Sequence, residues 1–459
     1  MSNYYKNPLE TTITIPNVEI VEGISYYNIK VTCYHNIEWT VSRRYRDFHD
    51  LHEKLINYSI SRDLLPKKKV IGNTNMKFIE QRREDLQKYL QTIAHMMQKH
   101  MPLEFVEFLD FHKYDVIFVL QHLALDIFTN GEKYLIENDK KWSFTILELH
   151  AISTRLRLPC SQQELQDSKF DFSHILDFCS NLNSLTVIPT RKACELKDEF
   201  LHELVSPIGT SNILASTLNF ELSPFTNVKI LEFKGIVPMN VDSNARIREN
   251  CEIFIVNFTR AQNIQNILNP ESIHNNSVTD EIWQKVHTVN FSYNDIWQLD
   301  KALNLVPKVE NLTLDGNRLR TISNLRHLHK LNYLSLNNNL IEDLSNWFVE
   351  LGNVQTLNLA GNKISSLKGL SRLRSIKSLD LSCNMIEKLD EIDEVANLPI
   401  LEILGLNGNP LALEFDYRPK VLARFDDRCN EIILDNEKCS PSEIDKAMVL
   451  SALRKSKIG

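Results

Sequence analysis

Cationic side chains gather around an aromatic ring in SRRYRDF, where Arg43, Arg44 and Arg46 flank Tyr45. Two further basic stretches lie downstream: Lys67, Lys68 and Lys69 directly after Pro66, and Arg82-Arg83 within FIEQRREDL. A guanidinium is a planar fork of donors that grips phosphate oxygens in pairs, and an ammonium on a flexible stem is a mobile point charge. The chemistry these residue types support is recognition of a phosphorylated anion. Each stretch alone reads as solvated surface charge; together they form a candidate site.

Catalysis has no comparable foothold. The chain contains no GxSxG, HExxH or P-loop pattern and no paired carboxylates at a strand end. Its 14 histidines are dispersed. Cys33, Cys160, Cys179, Cys194, Cys251, Cys383, Cys429 and Cys439 form no CxxC pair, which fits reduced thiols in a cytosolic protein. The expectation is a non-enzymatic protein without cofactor or metal.

The net charge of −7 argues against wholesale nucleic-acid binding. Residues 1–114 carry 16 Lys and Arg against 14 Asp and Glu, leaving 36 against 45 for the remainder, so basic character is concentrated at the front. MSNYYKNPLE lacks an apolar run behind its charge and reads as no signal peptide. The longest apolar-rich stretch, DVIFVLQHLALDIF, is broken by Gln, His and Asp and is too short to cross a bilayer. Membrane contact is therefore expected to be peripheral.

The elements that must position the basic residues are legible from periodicity. TTITIPNVEIV, YYNIKVTCYH and IEWTVS are rich in β-branched and aromatic residues and predict three strands. Phe48, Leu51, His52 and Leu55 predict a helix after the RRY motif, and Phe78, Ile79, Leu86, Tyr89, Leu90 and Ile93 predict another after the lysine loop. PLEFVEFLDF closes a small α+β domain.

Strand, RRY, helix, Pro-Lys loop and a helix carrying Arg-Arg, in that order, resemble the phox-homology (PX) domain, a phosphoinositide-binding module. The resemblance implies that Arg44 holds the 3-phosphate, Tyr45 floors the inositol ring, Lys68 meets the 1-phosphate and Arg82 reads the 4- and 5-hydroxyls. It implies phosphatidylinositol 3-phosphate as the ligand, with Arg43 adding support or general membrane attraction. Lys67, Lys69, Val70 and Ile71 form a loop expected to touch the lipid surface.

The second signal is a repeat. VHTVNFSYNDIWQL, VENLTLDGNRLRTI, LNYLSLNNNLIEDL, VQTLNLAGNKISSL, IKSLDLSCNMIEKL and LEILGLNGNPLAL align on Asn294, Asn317, Asn339, Asn362, Asn384 and Asn409, spaced by 23, 22, 23, 22 and 25 residues. This is the leucine-rich repeat, LxLxxNxIxxL. Units that bury leucines only against their neighbours stack into an α/β solenoid, and the asparagines are expected to be structural. Residues flanking the strand leucines, among them Asn311, Thr313, Asp315, Tyr333, Ser335, Asn358 and Asp380, would line a concave face that contains no Lys or Arg and suits a protein partner. Tyr417, Arg418 and Val421 resemble the C-terminal cap of such repeats.

The organisation expected is a PX domain at 1–114, a helical bridge at 115–174, degenerate repeats at 175–280 (SLTVIP, VKILEFKG, EIFIVNFT), regular repeats at 281–415, and a cap with a short tail at 416–459. The combination resembles a family of cytosolic and endosomal scaffolds. That resemblance implies recruitment to early or recycling endosomes or the plasma-membrane periphery, and partners among Rac-pathway kinases or GTPases and integrin tails. A soluble regulatory subunit of a phosphatase or small GTPase, with little lipid dependence, is the alternative.

Overall fold

A computed structural model of the chain describes residues 11–33, 36–68, 75–97, 101–158, 168–191, 207–238, 241–242, 245–268 and 282–458. The chain forms two compact units, Met1–Leu182 with Ile188–Phe225, and Asn183–Val187 with Thr226–Gly459. The sequence-based boundaries at 114 and 174 divide the first of these units, which also takes in residues through 225 that the sequence pattern places among the repeats.

The first unit is built on an antiparallel sheet of β1 (Thr12–Val21), β2 (Ile24–Cys33) and β3 (Ile37–Arg44), in that order. Glu22 and Gly23, both at positive φ, make the two-residue turn between β1 and β2, the backbone choice that matches strand twist. Pro16 cannot donate to a ladder, and the β1–β2 register shifts there, between Thr14 and Asn17. Helix α1 (Tyr45–Leu55) starts where the Asp47 carboxylate accepts the Arg44 backbone N–H at 2.7 Å. It buries Phe48, Leu51, His52 and Leu55, the four residues its periodicity singles out. Helix α2 (Met76–Met96), capped by the Asn75 side chain, lies along β1.

Both edges of this sheet are occupied. Along β1, the side chains of α2 take the place of a neighbouring strand: Gln87 accepts the Ile15 N–H at 2.7 Å, Arg83 donates to the Ile15 carbonyl at 2.5 Å, and Gln91 donates to the Ile13 carbonyl at 2.9 Å. Along β3, a segment far downstream in sequence acts as the cover. Thr40 N–H donates to the Thr210 carbonyl and Asn212 N–H to the Glu38 carbonyl, at 3.2 and 2.9 Å. The Asn212 side chain accepts the Glu38 N–H and donates to the Asn36 carbonyl, and the Thr210 hydroxyl donates to the Thr40 carbonyl at 2.6 Å. Gly209, with φ +58, lies so near Tyr114 that an added Cβ would approach the phenolic oxygen at 2.5 Å. An exposed edge strand is a template for unwanted pairing, so covering both edges closes this sheet to further strands.

Helices α3 (Leu103–Phe108), α4 (Phe111–Tyr114) and α5 (Val116–Glu137) come next, with Trp39 Nε1 donating to the Leu109 carbonyl at 2.7 Å. The region expected to be a helical bridge contains α5, a short strand β4 (Lys141–Thr145) and α6 (Ile146–Leu156), and α7 (Phe172–Asn181) runs across its expected end at 174. Thr145 and Glu148 cap α6 reciprocally. One apolar core, from Ile13 and Trp39 through Phe48 and Tyr89 to Phe118 and Ile213, runs through the sheet, the PX-like helices and the downstream segment.

The second unit is a parallel ladder. Strands at Ser184–Ile188, Ile230–Lys234, Ile253–Asn257, Thr288–Asn290, Asn311–Thr313, Tyr333–Ser335, Thr356–Asn358, Ser378–Asp380, Ile403–Gly405 and Ile433–Leu434 pair in sequence order. SLTVIP, VKILEFKG and EIFIVNFT supply the first three of these strands, and the ladder starts at 184. The asparagines are buried and structural: Asn362 Nδ2 donates to the Leu359 and Leu336 carbonyls, and its Oδ1 accepts the Ile341 N–H. The residue before each ladder asparagine (Tyr293, Gly316, Asn338, Gly361, Cys383, Gly408) has positive φ. Glycine and asparagine tolerate that conformation, whereas tyrosine and cysteine hold it only because the stack imposes it.

Asn212→Ala removes two side-chain hydrogen bonds from the β3 edge. We expect a loss of about 1 kcal/mol in urea unfolding and faster hydrogen exchange at the Glu38 and Thr40 amides. Unchanged exchange there would show that the downstream segment does not hold the edge.

Candidate functional site

A cavity of about 620 Å³ opens between the start of β2, the N-terminus of α1, the Pro66–Lys68 loop and α2, lined by Arg44, Tyr45, Arg46, His49, Lys68 and Arg82 among others. Local structure explains the convergence. Arg44 and Arg43 are neighbours at the end of a strand and therefore point to opposite faces. Arg44 faces the cavity, half-buried, with its guanidinium 3.9 Å from Asp47, a loose ion pair across one helical turn. The Tyr45 hydroxyl donates to the Pro66 carbonyl at 2.5 Å, which ties the lysine loop to α1.

Arg82 is the unusual member. Its side chain is buried, at 9% exposure, and its guanidinium carbon lies 4.4 Å from the Tyr45 ring centre and 4.3 Å from that of Phe78. It forms no ion pair among the described residues, and Nη2 has no hydrogen-bond partner there. A buried charge without a counter-charge is costly; two aromatic faces offset only part of that cost. The adjacent phenols respond to both influences. Burial pushes the Tyr27 and Tyr45 hydroxyls above their ordinary pKa, and the Arg82 charge pulls both back, helped at Tyr27 by a side-chain hydrogen bond with Arg82. The cavity thus holds positive charge that, at Arg82, has no ion-pair partner among the described residues.

Of the residues singled out in sequence, Arg44, Tyr45, Lys68 and Arg82 come together in this cavity. Arg43 does not join them, which corrects its grouping with the headgroup residues. Its Nε donates to the Phe108 carbonyl at 3.0 Å and its Nη2 pairs with Asp110 at 3.1 Å, so it fastens β3 to α3 and lies outside the cavity lining. Lys67 is exposed on the loop, while Lys69, Val70 and Ile71 lie outside the described residues. Tyr27, Arg46 and His49 also line the cavity, although residue type and order do not single them out as ligand contacts. His49 stands one helical turn after Tyr45, and that i, i+4 spacing was the available signal.

The strand face of the ladder is more committed than its composition suggests. Asp315 accepts from the Ser335 hydroxyl and the Asn337 N–H, Asn358 from the Ala360 N–H, and Asp380 from the Ser382 N–H. Ser335 is fully buried, which removes it from any partner surface. Asn311, Thr313, Asp315, Tyr333, Asn358 and Asp380 stay partly exposed.

Residues 31–112 match the family model of the PX domain. Residues 307–364 match a leucine-rich repeat model, and 352–394 a model of two leucine-rich repeat copies. The chain carries a PX domain and leucine-rich repeats. A stretch of 68 residues is 43% identical to sorting nexin-13 of Homo sapiens and covers 14% of this chain and 7% of that protein. The chain thus spans a small part of that relative's length. Among solved structures, a designed CISK-PX domain is 31% identical, covering 21% of this chain and 97% of that one, with a TM-score of 0.20. An internalin from Listeria monocytogenes is 17% identical over 52% of this chain and 64% of that one, with a TM-score of 0.35. No described helix is long and apolar enough to cross a membrane.

Because the Arg82 guanidinium lacks a counter-charge, Arg82→Met should leave stability within about 1 kcal/mol of the parent. Chemical denaturation checks this. A loss above about 2 kcal/mol would make Arg82 a structural post and not a group held in reserve for a ligand.

Proposed function

We propose that this chain is a non-enzymatic, peripheral-membrane scaffold. Its PX domain binds phosphatidylinositol 3-phosphate on early or recycling endosomes, and its leucine-rich repeats bind a protein partner. The observation that carries the first half is the buried Arg82 guanidinium, without an ion pair among the described residues, in the lining of a cavity shared with Arg44 and Lys68. In this reading Arg44 grips the 3-phosphate with its fork, and Lys68 meets the 1-phosphate near the membrane surface. Tyr45 lies under the inositol ring. Arg82 donates to the 4- and 5-hydroxyls, and its bulk leaves no room for phosphates at those positions. Lys67, Lys69, Val70 and Ile71 supply the loop that touches lipid, with each basic residue adding about 1 kcal/mol on an anionic leaflet.

The ladder forms a solenoid closed at its far end by a cap. Tyr417 bonds Asp435, and Arg418 bonds the Leu434 carbonyl and Glu443, contacts that seal the last strand and support this assignment. The order of modules, and the stretches EWTVSRRYRDFHDLHEKL and DYRPKVLARF, resemble nischarin. That resemblance implies Rac-pathway kinases or GTPases and integrin tails as partners.

Vesicle sedimentation with the full chain tests the lipid half. Vesicles containing phosphatidylinositol 3-phosphate should bind at least ten times more tightly than vesicles with the 4-phosphate isomer, and Arg44→Ala with Lys68→Ala should abolish the difference. Binding that survives both substitutions rejects the site. For the repeats, Tyr333→Ala with Asp380→Ala should weaken capture of purified Rac-pathway kinases or integrin-tail peptides, and undiminished capture removes the strand face as their docking surface.

A further inference from the structure

The last helix, Pro441–Ile458, is fastened on one face and bare on the other. Glu443 accepts from Arg418 at 2.6 Å, Ala447 is fully buried, the Ser451 hydroxyl donates to Asp426 at 2.6 Å, and Arg454 pairs with Asp393 at 2.9 Å. Those positions are spaced by four, four and three residues and mark one side of a helix. The opposite side carries Met448, Val449, Ala452 and Leu453, all exposed. Two more apolar side chains flank it. Leu413 and Phe415 are 89% and 86% exposed, and Asp416, directly after Phe415, pairs with Lys446 at 3.1 Å, three residues before Val449.

Single exposed apolar residues need no explanation, whereas a group of six on one side of a folded unit does. Together these side chains offer on the order of 500 Å² of apolar surface, more than half of the ~800 Å² that each partner buries in a standard interface. Charge narrows the occupant. The cations around the group are engaged within the chain: Lys446 by Asp416, Lys455 by Asp426 at 3.3 Å, and Lys420 by Glu414 at 2.9 Å. An anionic leaflet or an acidic peptide would meet little spare positive charge here. Asp445, exposed one turn before Met448 and Val449, has no ion-pair partner among the described residues and would repel either of them.

We propose that this face is the contact between two copies of the chain, with the two Pro441–Ile458 helices paired antiparallel about a two-fold axis. A two-fold contact sets one surface against itself, so the face must match its own inverse. With the axis between Leu450 and Ser451, Met448 meets the partner's Leu453 and Val449 meets the partner's Ala452, and the reciprocal pairs follow by symmetry. Asp445, Val449, Ala452 and Ser456 recur at spacings of four, three and four residues, the seam of a two-helix pairing, and the small Ala452 lets the axes approach. The free Asp445 carboxylate then lies beside the partner's Lys455, an ammonium with donors to spare beyond its bond to Asp426. Leu413 and Phe415 add apolar area along one flank. The modest area makes the dimer reversible.

Sedimentation velocity on the full chain, from about 1 to about 200 µM, reads the association in the range expected of an interface this small. The intact chain should be dimeric at the upper end, and a chain monomeric throughout overturns the proposal. Val449→Asp and Ala452→Asp, at exposed positions that leave the core alone, should each weaken association at least tenfold. A dimer unchanged by both forms elsewhere and overturns it as well. Asp445→Lys and Lys455→Glu test the antiparallel pairing, because each sets like charges together in its own dimer while an equimolar mixture of the two restores opposite pairs. Each variant alone should associate at least threefold more weakly than the intact chain, and the mixture more tightly than either. A mixture no tighter than its components overturns the antiparallel pairing. Thermal unfolding verifies that each variant is folded. Pelleting with phosphatidylserine vesicles separates the other occupant: vesicle binding lost in Val449→Asp with self-association unchanged makes this face a lipid contact and overturns the proposal.

Discussion

A single guanidinium sets the terms of the front unit. Arg82 sits between two aromatic faces with no ion-pair partner among the described residues, in a position where a neutral side chain would be cheaper. The surrounding structure keeps it there. Tyr45 is fixed by its bond to Pro66, and α2 is fixed by the side chains it lends to the edge of β1. Its positive charge therefore stays in the cavity lining without an ion pair among the described residues.

That arrangement sits beside a sheet with neither edge free. Helix α2 covers one edge locally. The other is covered by Thr210 and Asn212, which come some 170 residues after β3 in the chain. The PX domain here is accordingly part of a larger folded unit that shares one core with Phe118 and Ile213. Its cavity and its distant edge lie on the same strand, β3, with the downstream cover at Glu38–Thr40 and the cavity-lining Arg44 at its end.

The ladder solves a different problem with one repeated device. Each asparagine amide satisfies carbonyl groups of two successive turns, so the backbone is paired without continuous helix or wide sheet. The cost is a left-handed residue before every asparagine, accepted even where that residue is Tyr293 or Cys383. Several polar side chains along the strands do similar work, which leaves fewer groups for a partner than residue types alone suggest.

Local pattern was enough for the strands of the front sheet, the buried faces of α1 and α2, and the repeat period, because these depend on periodicities of two, 3.6 and about 22 residues that are written along the chain. Four cavity residues were also legible, since residue type and order near the RRY motif carry them. Arg43 was not: alternation along β3 says that it and Arg44 part company, but only the docking of α3 against one face decides which of them meets Asp110 and which meets the cavity. The unit boundary at 225 and the cover on β3 were likewise invisible, because each is made by residues brought together across long sequence separations. Local periodicity determined the elements, and packing between distant segments decided which cations are structural, which edge is closed and where cavities remain.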